Sequence, residues 1–188
     1  MARLILICGL PGTGKTTLAR RLAEELRAVR MCPDEWLLAL GASLSDGALR
    51  EQVERAMWAQ AAELLRDGHG VILEFGFWLR SERDQLRLLA RRLGAAVELR
   101  YLDAPLDELS RRIERRDRED PSGGAGIRIT PVLLALWSEA FEAPIKPGWS
   151  CSTSRASRPH RGPLRIGPER KICQLMDPFG NVFGLDGR

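Results

Sequence analysis

The strongest constraint on how this chain folds lies at its start, where an apolar run leads directly into a glycine-rich turn. The run Arg3–Cys8 has the length and composition of a buried strand, and the glycines after it let the backbone curl tightly. Leu18, Leu22 and Leu26 then recur at four-residue spacing, which is typical of an amphipathic helix. The sequence therefore predicts a strand, a tight turn and a helix in direct succession.

The turn has the spacing of the P-loop, with Gly9, four residues, and then Gly14, Lys15 and Thr16. In such a loop successive backbone N–H groups point at phosphate oxygens, and the dipole of the following helix adds positive potential. Lys15 can reach the β- and γ-phosphates, and the Thr16 hydroxyl suits Mg²⁺. A glycine-rich turn that binds nothing is the alternative. The residues predicted to bind the nucleotide are Gly9, Leu10, Pro11, Gly12, Thr13, Gly14, Lys15, Thr16 and Thr17.

The composition is that of an ordinary globular protein. The chain has 188 residues, of which 44% are hydrophobic and 29% are charged. No apolar run approaches the roughly 20 residues of a membrane-spanning helix, and the first residues read as a core strand rather than a signal peptide. The four cysteines lack metal or redox spacing and are expected to be buried or incidental thiols. We expect a cytoplasmic protein that does not contact a membrane.

Alternation of apolar runs and amphipathic segments predicts an α/β fold. Polar and glycine-rich residues at 119–129 predict a mobile loop, and residues 81–84 resemble a helix cap. Because strands and helices alternate, we expect a parallel sheet with helices on both faces. Further strands are predicted at 29–32, 71–75 and 96–102, and further helices at 33–40, 47–66, 85–93, 105–117 and 131–141.

The charge of the chain is unevenly distributed. Residues 1–143 carry 21 Lys and Arg against 22 Asp and Glu, whereas residues 144–188 carry 8 against 3. The basic pI therefore belongs to the tail, and nucleic acid is a possible partner that the body does not indicate. We predict a domain at 1–143 with a lid near 111–130, a basic linker at 144–168, and a tail at 169–188 that is an edge strand or a fusion remnant.

Two carboxylates are expected near the phosphates. Asp34 follows the second strand, at the edge where the ends of parallel strands meet a ligand crevice, and it can accept a proton from an attacking hydroxyl. Capping of the next helix is its alternative role. Glu74 ends the third strand, where it can orient metal-bound water beside Thr16, act as a base, or form a structural ion pair. Glu35 is expected to be structural, although it could exchange roles with Asp34.

Positive charge over a transferring phosphoryl group is expected from arginines. Arg112 and Arg116 share one helix face just before the glycine-rich loop, where a closing lid would exclude water. Arg111 and Arg115 form an equivalent pair, and a solvated charged helix is the alternative. The residues predicted to contact an acceptor are Asp34 and three residues just beyond the third strand, namely Trp78, Arg80 and Arg83.

In combination, the motif at Gly9–Thr16, the two carboxylates and the arginine-rich helix resemble the small P-loop kinases. This group includes polynucleotide kinase, chloramphenicol phosphotransferase, gluconate kinase and the zeta toxins. The resemblance covers about residues 1–143 and implies a three-layer P-loop NTPase with core strand order 2-3-1-4. It also implies ATP and Mg²⁺ as cofactors and transfer of the γ-phosphoryl group to a hydroxyl of a small molecule or nucleic-acid end. By this match Asp34 is the base, Lys15 contacts the phosphates, and an arginine among 111–116 covers them.

The sequence departs from this group in two places. Glu74 stands where many relatives carry Asp, and no fifth strand is visible after the lid. Two alternative functions remain: a toxin-like kinase, and a nucleotide-dependent switch whose basic tail contacts an acidic partner. A mechanical AAA-type ATPase is disfavoured because the body is too short for a helical lid domain. The stretch 177–185 resembles the last strand and turn of glyoxalase/bleomycin-resistance modules, without implying their activity.

Overall fold

The computed structural model describes residues 2–119 and 128–144, together with the backbone of two strands at 172–176 and 182–186. Its strands are β1 (Arg3–Cys8), β2 (Val29–Met31), β3 (Gly70–Gly76), β4 (Ala96–Leu102), β5 (Ile172–Met176) and β6 (Val182–Asp186). Its helices are α1 (Lys15–Leu26), α2 (Pro33–Ala39), α3 (Gly47–Arg66), α4 (Arg80–Arg92), α5 (Leu106–Glu119) and α6 (Pro131–Ala140). Within the described part of the chain, no helix combines the length and the apolar character needed to cross a membrane.

The strands form one sheet in the order β2-β3-β1-β4-β6-β5. Parallel pairing joins β1 to both β3 and β4, so that Leu4 lies opposite Val71 on one side and Val97 on the other. The predicted core order 2-3-1-4 is therefore confirmed. Beyond it, β6 continues parallel to β4, and β5 closes the edge antiparallel to β6. The strand that the sequence does not show after the lid is thus supplied by residues 182–186.

Helices cover both faces of the sheet, because successive side chains of a strand point to opposite sides. Leu4, Leu6 and Cys8 of β1 face the core that α3 and α4 close. Ile5 and Ile7 face the core that α1 closes. All five side chains are essentially inaccessible to solvent. The three-layer α/β fold expected from the alternating pattern is confirmed.

A third, smaller core lies beside the glycine-rich turn. Leu10 of the turn packs with Leu109 and Ile113 of α5 and with Leu134 of α6. These four side chains are buried, although the helices that carry them are rich in charged or exposed residues. Apolar packing therefore holds α5 and α6 against the turn.

Most predicted boundaries agree with the structure, but the start of α4 was wrong. The helix begins at Arg80, so residues 81–84 lie inside its first turns instead of forming the cap. Glu82 fulfils the capping role from within, since its carboxylate accepts a hydrogen bond from the Leu79 N–H at 3.0 Å. Residues 120–127 of the predicted mobile loop, and the predicted linker from 145 to 168, lie outside the described residues.

The third core can be tested with two leucines of α6. Leu134→Ala is expected to lower the free energy of unfolding by about 3 kcal/mol, because it leaves a cavity at a side chain that is 1% exposed. Leu136 lies in the same helix but is 57% exposed, so Leu136→Ala should cost less than about 0.5 kcal/mol. Urea unfolding followed by circular dichroism measures both variants. Equal losses would contradict the packing of α6 on the turn.

Candidate active site

The shape of the turn at 9–14 depends on glycines with left-handed backbone angles. The φ angles are 142° at Gly9, 82° at Gly12 and 92° at Gly14. A Cβ atom at Gly9 would lie 2.3 Å from the carbonyl oxygen of Leu102, and one at Gly12 would lie 3.2 Å from that of Leu109. Space and conformation together exclude a side chain at Gly9, while at Gly12 the space is tight and the backbone conformation is strained for any residue with a side chain. Gly14 is the N-cap of α1, so no cap side chain competes for the first N–H groups of this helix.

Lys15 lies folded back over the turn. Its Nζ donates hydrogen bonds to the carbonyl oxygens of Gly9 and Leu10, at 2.9 and 3.0 Å. Burial lowers the pKa of Lys15, while the negative charges of Glu74 and Asp34 act in the opposite direction. The ammonium is thus close to both acids that the sequence singles out, at the position where phosphate oxygens could replace its two carbonyl partners.

Thr16 and Glu74 meet where α1 begins. The Thr16 hydroxyl donates a hydrogen bond to Oε1 of Glu74, which is a buried carboxylate. Arg30 of β2 donates from Nε to Oε2 of Glu74 at 2.9 Å and so offsets the cost of burying the charge. Hydroxyl and carboxylate oxygens are ligands that Mg²⁺ prefers, so the pair fits the predicted metal site.

A metal held by this pair would need further ligands. Among the described residues, no group of three or more His, Cys, Asp and Glu side chains is arranged to hold an ion. Mg²⁺ is commonly bound through one or two protein oxygens, waters and the phosphates of a nucleotide. Thr16 and Glu74 therefore fit a metal that arrives with the nucleotide better than a resident ion.

Asp34 lies in the first turn of α2, directly beyond the end of β2. Its side chain is exposed, and its Oδ1 accepts a hydrogen bond from Nη2 of Arg50 at 2.6 Å. Arg50 also pairs with Glu54 one turn along α3, at 3.7 Å. The structure therefore brings Asp34 to the edge of the sheet that carries Lys15, with a cation of α3 to orient it. Nothing in the sequence distinguishes Arg50 from the other charged residues of that helix.

Glu35 points to a different set of partners from its neighbour Asp34. It accepts hydrogen bonds from Arg30 and from Arg20 of α1. These hydrogen bonds lower the pKa of Glu35 to about 2, with the largest effect from Arg30, although partial burial acts in the opposite direction. The two adjacent acids thus have separate environments, with Asp34 on the α3 side and Glu35 on the α1 side.

Arg83, predicted to contact an acceptor, is buried. Its Nη1 donates to the carbonyl oxygen of Phe77 at 2.6 Å, and its Nη2 donates to that of Glu142. The guanidinium also lies 5.8 Å from the centre of the Phe141 ring. Phe77 has a left-handed φ of 47°, a strained conformation for a residue with a side chain. Arg83 therefore ties the strained β3–α4 turn to the end of α6, a placement that does not favour contact with an acceptor.

Arg80 and Trp78 lie on the outer side of the same turn. The Arg80 side chain pairs with Asp84 at 3.3 Å, and its backbone N–H donates to Oε2 of Glu142 at 2.6 Å. The Trp78 ring packs edge-on against Trp137 of α6, with 5.7 Å between ring centres. Both residues stay predictions as acceptor contacts, with Trp78 also serving to join the turn to α6.

The two predicted lid arginines differ in environment. Arg112 has a side chain that is 15% exposed, and its Nε donates to Glu108 at 2.7 Å. Its Nη1 is buried and has no hydrogen-bond partner within the described residues, which is a costly state for a donor. Arg116 is exposed and pairs with Asp117 at 2.8 Å. An anion would satisfy Arg112, so Arg112 suits the predicted role better than Arg116.

Glu54 is an acid near Asp34 that the sequence analysis missed. Burial raises its pKa to about 7, and Glu82 and Asp34 act in the same direction, whereas Arg50 opposes them. The sequence offered two signals for Glu54: its apolar neighbour Val53, which the structure buries, and its place one helical turn after Arg50. The site therefore contains a carboxyl group that changes charge near neutral pH.

The pKa of Glu54 predicts a pH-dependent stability. The folded-state pKa exceeds the ordinary value of 4.5, so the folded protein retains a proton that the unfolded chain has lost. Stability should therefore fall as the pH rises from about 4.5 to about 7. A neutral amide removes this loss. The free energy of unfolding of Glu54→Gln should therefore exceed that of the wild type by about 1 kcal/mol at about pH 8, and the two should be equal at about pH 4. Denaturant unfolding at several pH values measures it.

Glu51→Gln is the matched control, since Glu51 lies on an exposed part of the same helix. It should keep the pH profile of the wild type. A Glu54→Gln variant with the same profile would contradict the raised pKa.

Comparison with known proteins agrees with this architecture. The family model described as "AAA domain" matches residues 4–129. A protein named "Probable adenylyl-sulfate kinase" from Aeropyrum pernix is 30% identical over 127 residues, which cover 64% of this chain and 65% of that protein. The gluconokinase of Gluconobacter oxydans is 30% identical over 129 residues, which cover 61% and 66%. The chain thus spans just under two thirds of these curated relatives.

Solved structures support the fold. A protein from Chloroflexus aurantiacus superposes with a TM-score of 0.64 at 24% identity, covering 79% of this chain and 84% of the other. Kti12 of Chaetomium thermophilum, solved with ADP-AlF3, superposes with a TM-score of 0.58 at 21% identity, covering 76% and 81%. The glyoxalase-like resemblance of residues 177–185 gains no support from these relatives. With its P-loop, its parallel sheet and a family match over more than half its length, the chain belongs to the AAA domain family.

Proposed function

We propose that this chain is an ATP-dependent phosphotransferase that moves the γ-phosphoryl group of ATP to a hydroxyl of an acceptor. The observation that carries the proposal is the placement of Asp34 relative to Lys15. Because β1 and β2 lie in the parallel part of the sheet, their carboxyl ends meet at one edge, where the turn and Asp34 follow directly. A phosphate-binding turn and a carboxylate across from it are the two halves that phosphoryl transfer to a hydroxyl needs.

Nucleotide binding would use the turn and the start of α1. The N–H groups after Gly9 and at the N-terminus of α1 would receive the phosphate oxygens. Lys15 would exchange the carbonyl oxygens of Gly9 and Leu10 for those of the phosphates. Thr16 and Glu74 would hold Mg²⁺, which when bound neutralises phosphate charge. Arg112, whose buried Nη1 has no hydrogen-bond partner among the described residues, would add positive charge from the α5 side.

The transfer step then depends on Asp34. The acceptor hydroxyl gives its proton to the Asp34 carboxylate while its oxygen forms a bond to the γ-phosphorus. The bond from that phosphorus to the β–γ bridging oxygen breaks, and ADP leaves with the electron pair. Arg50 donates to Oδ1 of Asp34, so it would hold the carboxylate in a fixed orientation during the transfer.

The names of the two curated relatives point to different acceptors, adenylyl sulfate and gluconate. They therefore support phosphoryl transfer more strongly than any one acceptor. A panel for this chain should contain both compounds, other sugar acids and sugars, nucleosides, and RNA with a 5′-hydroxyl end. Phosphorylated product, rather than ADP release alone, identifies the acceptor.

Nucleotide binding at the turn can be tested with two glycines. Gly12→Ala is expected to weaken ATP binding at least about tenfold, because Gly12 has a φ of 82° and a Cβ would press on Ile113 and Leu109 at 3.2 Å. Gly68 has a φ of 86° with open space around it, so Gly68→Ala imposes similar backbone strain elsewhere. Gly68→Ala should lower Tm but change the affinity less than about twofold. Calorimetric titration measures the affinities, and equal values for all three proteins would contradict binding at this turn.

The base can be tested with two aspartates. Asp34→Asn is expected to lower kcat about 10²- to 10⁴-fold with the best acceptor, because the amide cannot accept the proton, and to leave ATP affinity within about twofold. Asp107→Asn is the matched control, since Asp107 is exposed on α5 and its ion pair with the exposed Arg111 contributes little in solvent. It should retain full turnover.

Two outcomes would contradict the proposal. Wild-type turnover in Asp34→Asn would show that another group takes the proton. ATP binding without a phosphorylated product from any acceptor would contradict the phosphotransferase itself and favour a nucleotide-dependent switch.

A further inference from the structure

A ring of side chains links the two strands and two helices around the predicted metal site. The Thr16 hydroxyl donates to Glu74 of β3, and Arg30 of β2 donates to the other oxygen of Glu74. Arg30 also donates to Glu35 of α2, which accepts a further hydrogen bond from Arg20 of α1. Thr16 and Arg20 lie one turn apart on the same face of α1, so the helix itself closes the ring.

The Glu74 carboxylate is fixed by this ring. Its side chain is 4% exposed, and that of Arg30 is 13% exposed, so water competes little for either. Both Nε and Nη2 of Arg30 lie 2.9 Å from Oε2 of Glu74. Because Oε2 accepts a hydrogen bond from Nε and lies against the charge of the same guanidinium, rotation of the carboxylate is restrained and Oε1 stays directed at Thr16.

Arg30 is itself held from the opposite side. Glu35 accepts from Nη1 at 2.9 Å and from Nη2 at 2.8 Å, which is a bidentate pair. The low pKa of Glu35 means that this partner is charged at neutral pH. A planar guanidinium can pair with Glu35 through two nitrogens while its Nε donates to Glu74, whereas a lysine ammonium has a single nitrogen and cannot reproduce this geometry.

We infer that Arg30 is a positioning residue for the metal-binding carboxylate of this site. By holding Oε2 of Glu74, it presents Oε1 beside the Thr16 hydroxyl, where the Mg²⁺ of a bound nucleotide is expected. The same guanidinium ties Glu35 to this point, so α2, which carries Asp34, is anchored to the metal site as well. The inference rests on the proposed function in requiring that a nucleotide binds together with Mg²⁺ and that Glu74 serves this metal.

The test is the Mg²⁺ dependence of nucleotide affinity in Arg30→Lys. This variant keeps the positive charge but loses the rigid fork of donors that fixes both carboxylates, so it separates geometry from charge. We expect its ATP affinity in excess Mg²⁺ to fall about tenfold, as is usual when a partner of a metal ligand is lost. Its affinity in EDTA should stay within about twofold of the wild type. Equilibrium titration with a fluorescent ATP analogue gives both values without any need for an acceptor.

Arg21→Lys is the matched control. Arg21 lies on α1, outside the ring, and pairs with Glu25. It should show the wild-type affinity with and without Mg²⁺. Glu35→Gln is a second variant that removes the opposite anchor of Arg30 and leaves its bond to Glu74, and it should lower the Mg²⁺-dependent affinity about threefold. If Arg30→Lys does not fold, as judged by its thermal melt, Glu35→Gln carries the test.

The outcomes separate this inference from the proposed function. Equal losses in Mg²⁺ and in EDTA would mean a merely structural role for Arg30 and would overturn the inference, as would wild-type behaviour of both ring variants. A selective loss in Mg²⁺ would support it even if no acceptor were ever phosphorylated. A wild-type protein that binds no nucleotide would contradict both proposals.

Discussion

The carboxylate of Glu74 is buried at the end of a central strand, and such a charge is stable only with partners that replace its water. Thr16 supplies one partner from α1, and Arg30 supplies another from β2. The need to pair the Glu74 carboxylate therefore links α1, which follows the glycine-rich turn, to the neighbouring strand β2. The same contacts suit the proposed site for a cation and its anionic ligand, because the acid is already desolvated and oriented where the phosphates are expected.

Apolar packing completes the site from the other side. Leu10 belongs to the turn, yet it packs in a core with side chains of α5 and α6. Close approach of the turn to α5 also leaves no room for a side chain at Gly12. The helix that carries Arg112 thus packs on the turn through its apolar face, while Arg111, Arg115 and Arg116 stay exposed. In the proposed nucleotide complex, these hydrophobic contacts would hold the positive charge of Arg112 near the phosphates.

The sequence predicted the fold well because its information was local. The spacing of apolar residues and the placement of glycines located β1, the turn and α1. The alternation of strands and helices predicted a parallel sheet with helices on both faces. The core order of the strands came from resemblance rather than from the pattern. The start of α4 was wrong because a glutamate three residues inside a helix can cap it, which composition alone does not reveal.

The site was predicted less completely than the fold, for a physical reason. Lys15 and Thr16 belong to a contiguous motif, whereas Arg30, Arg50 and Glu54 matter only through partners distant in the sequence. Burial of Arg83 among backbone carbonyls was equally invisible, since its partners come from the β3–α4 turn and the end of α6. Charged residues show their role only when the packing around them is known.

The strand β6 fills the place beside β4, although 79 residues separate the last residue of β4 from the first residue of β6. During synthesis the outer edge of β4 therefore emerges long before its partner strand exists. An unpaired strand edge is a template for pairing with other chains. If the P-loop half folds as it is synthesised, one side of its sheet is open at that stage, and the exposed strand edge is then most prone to pair with other chains.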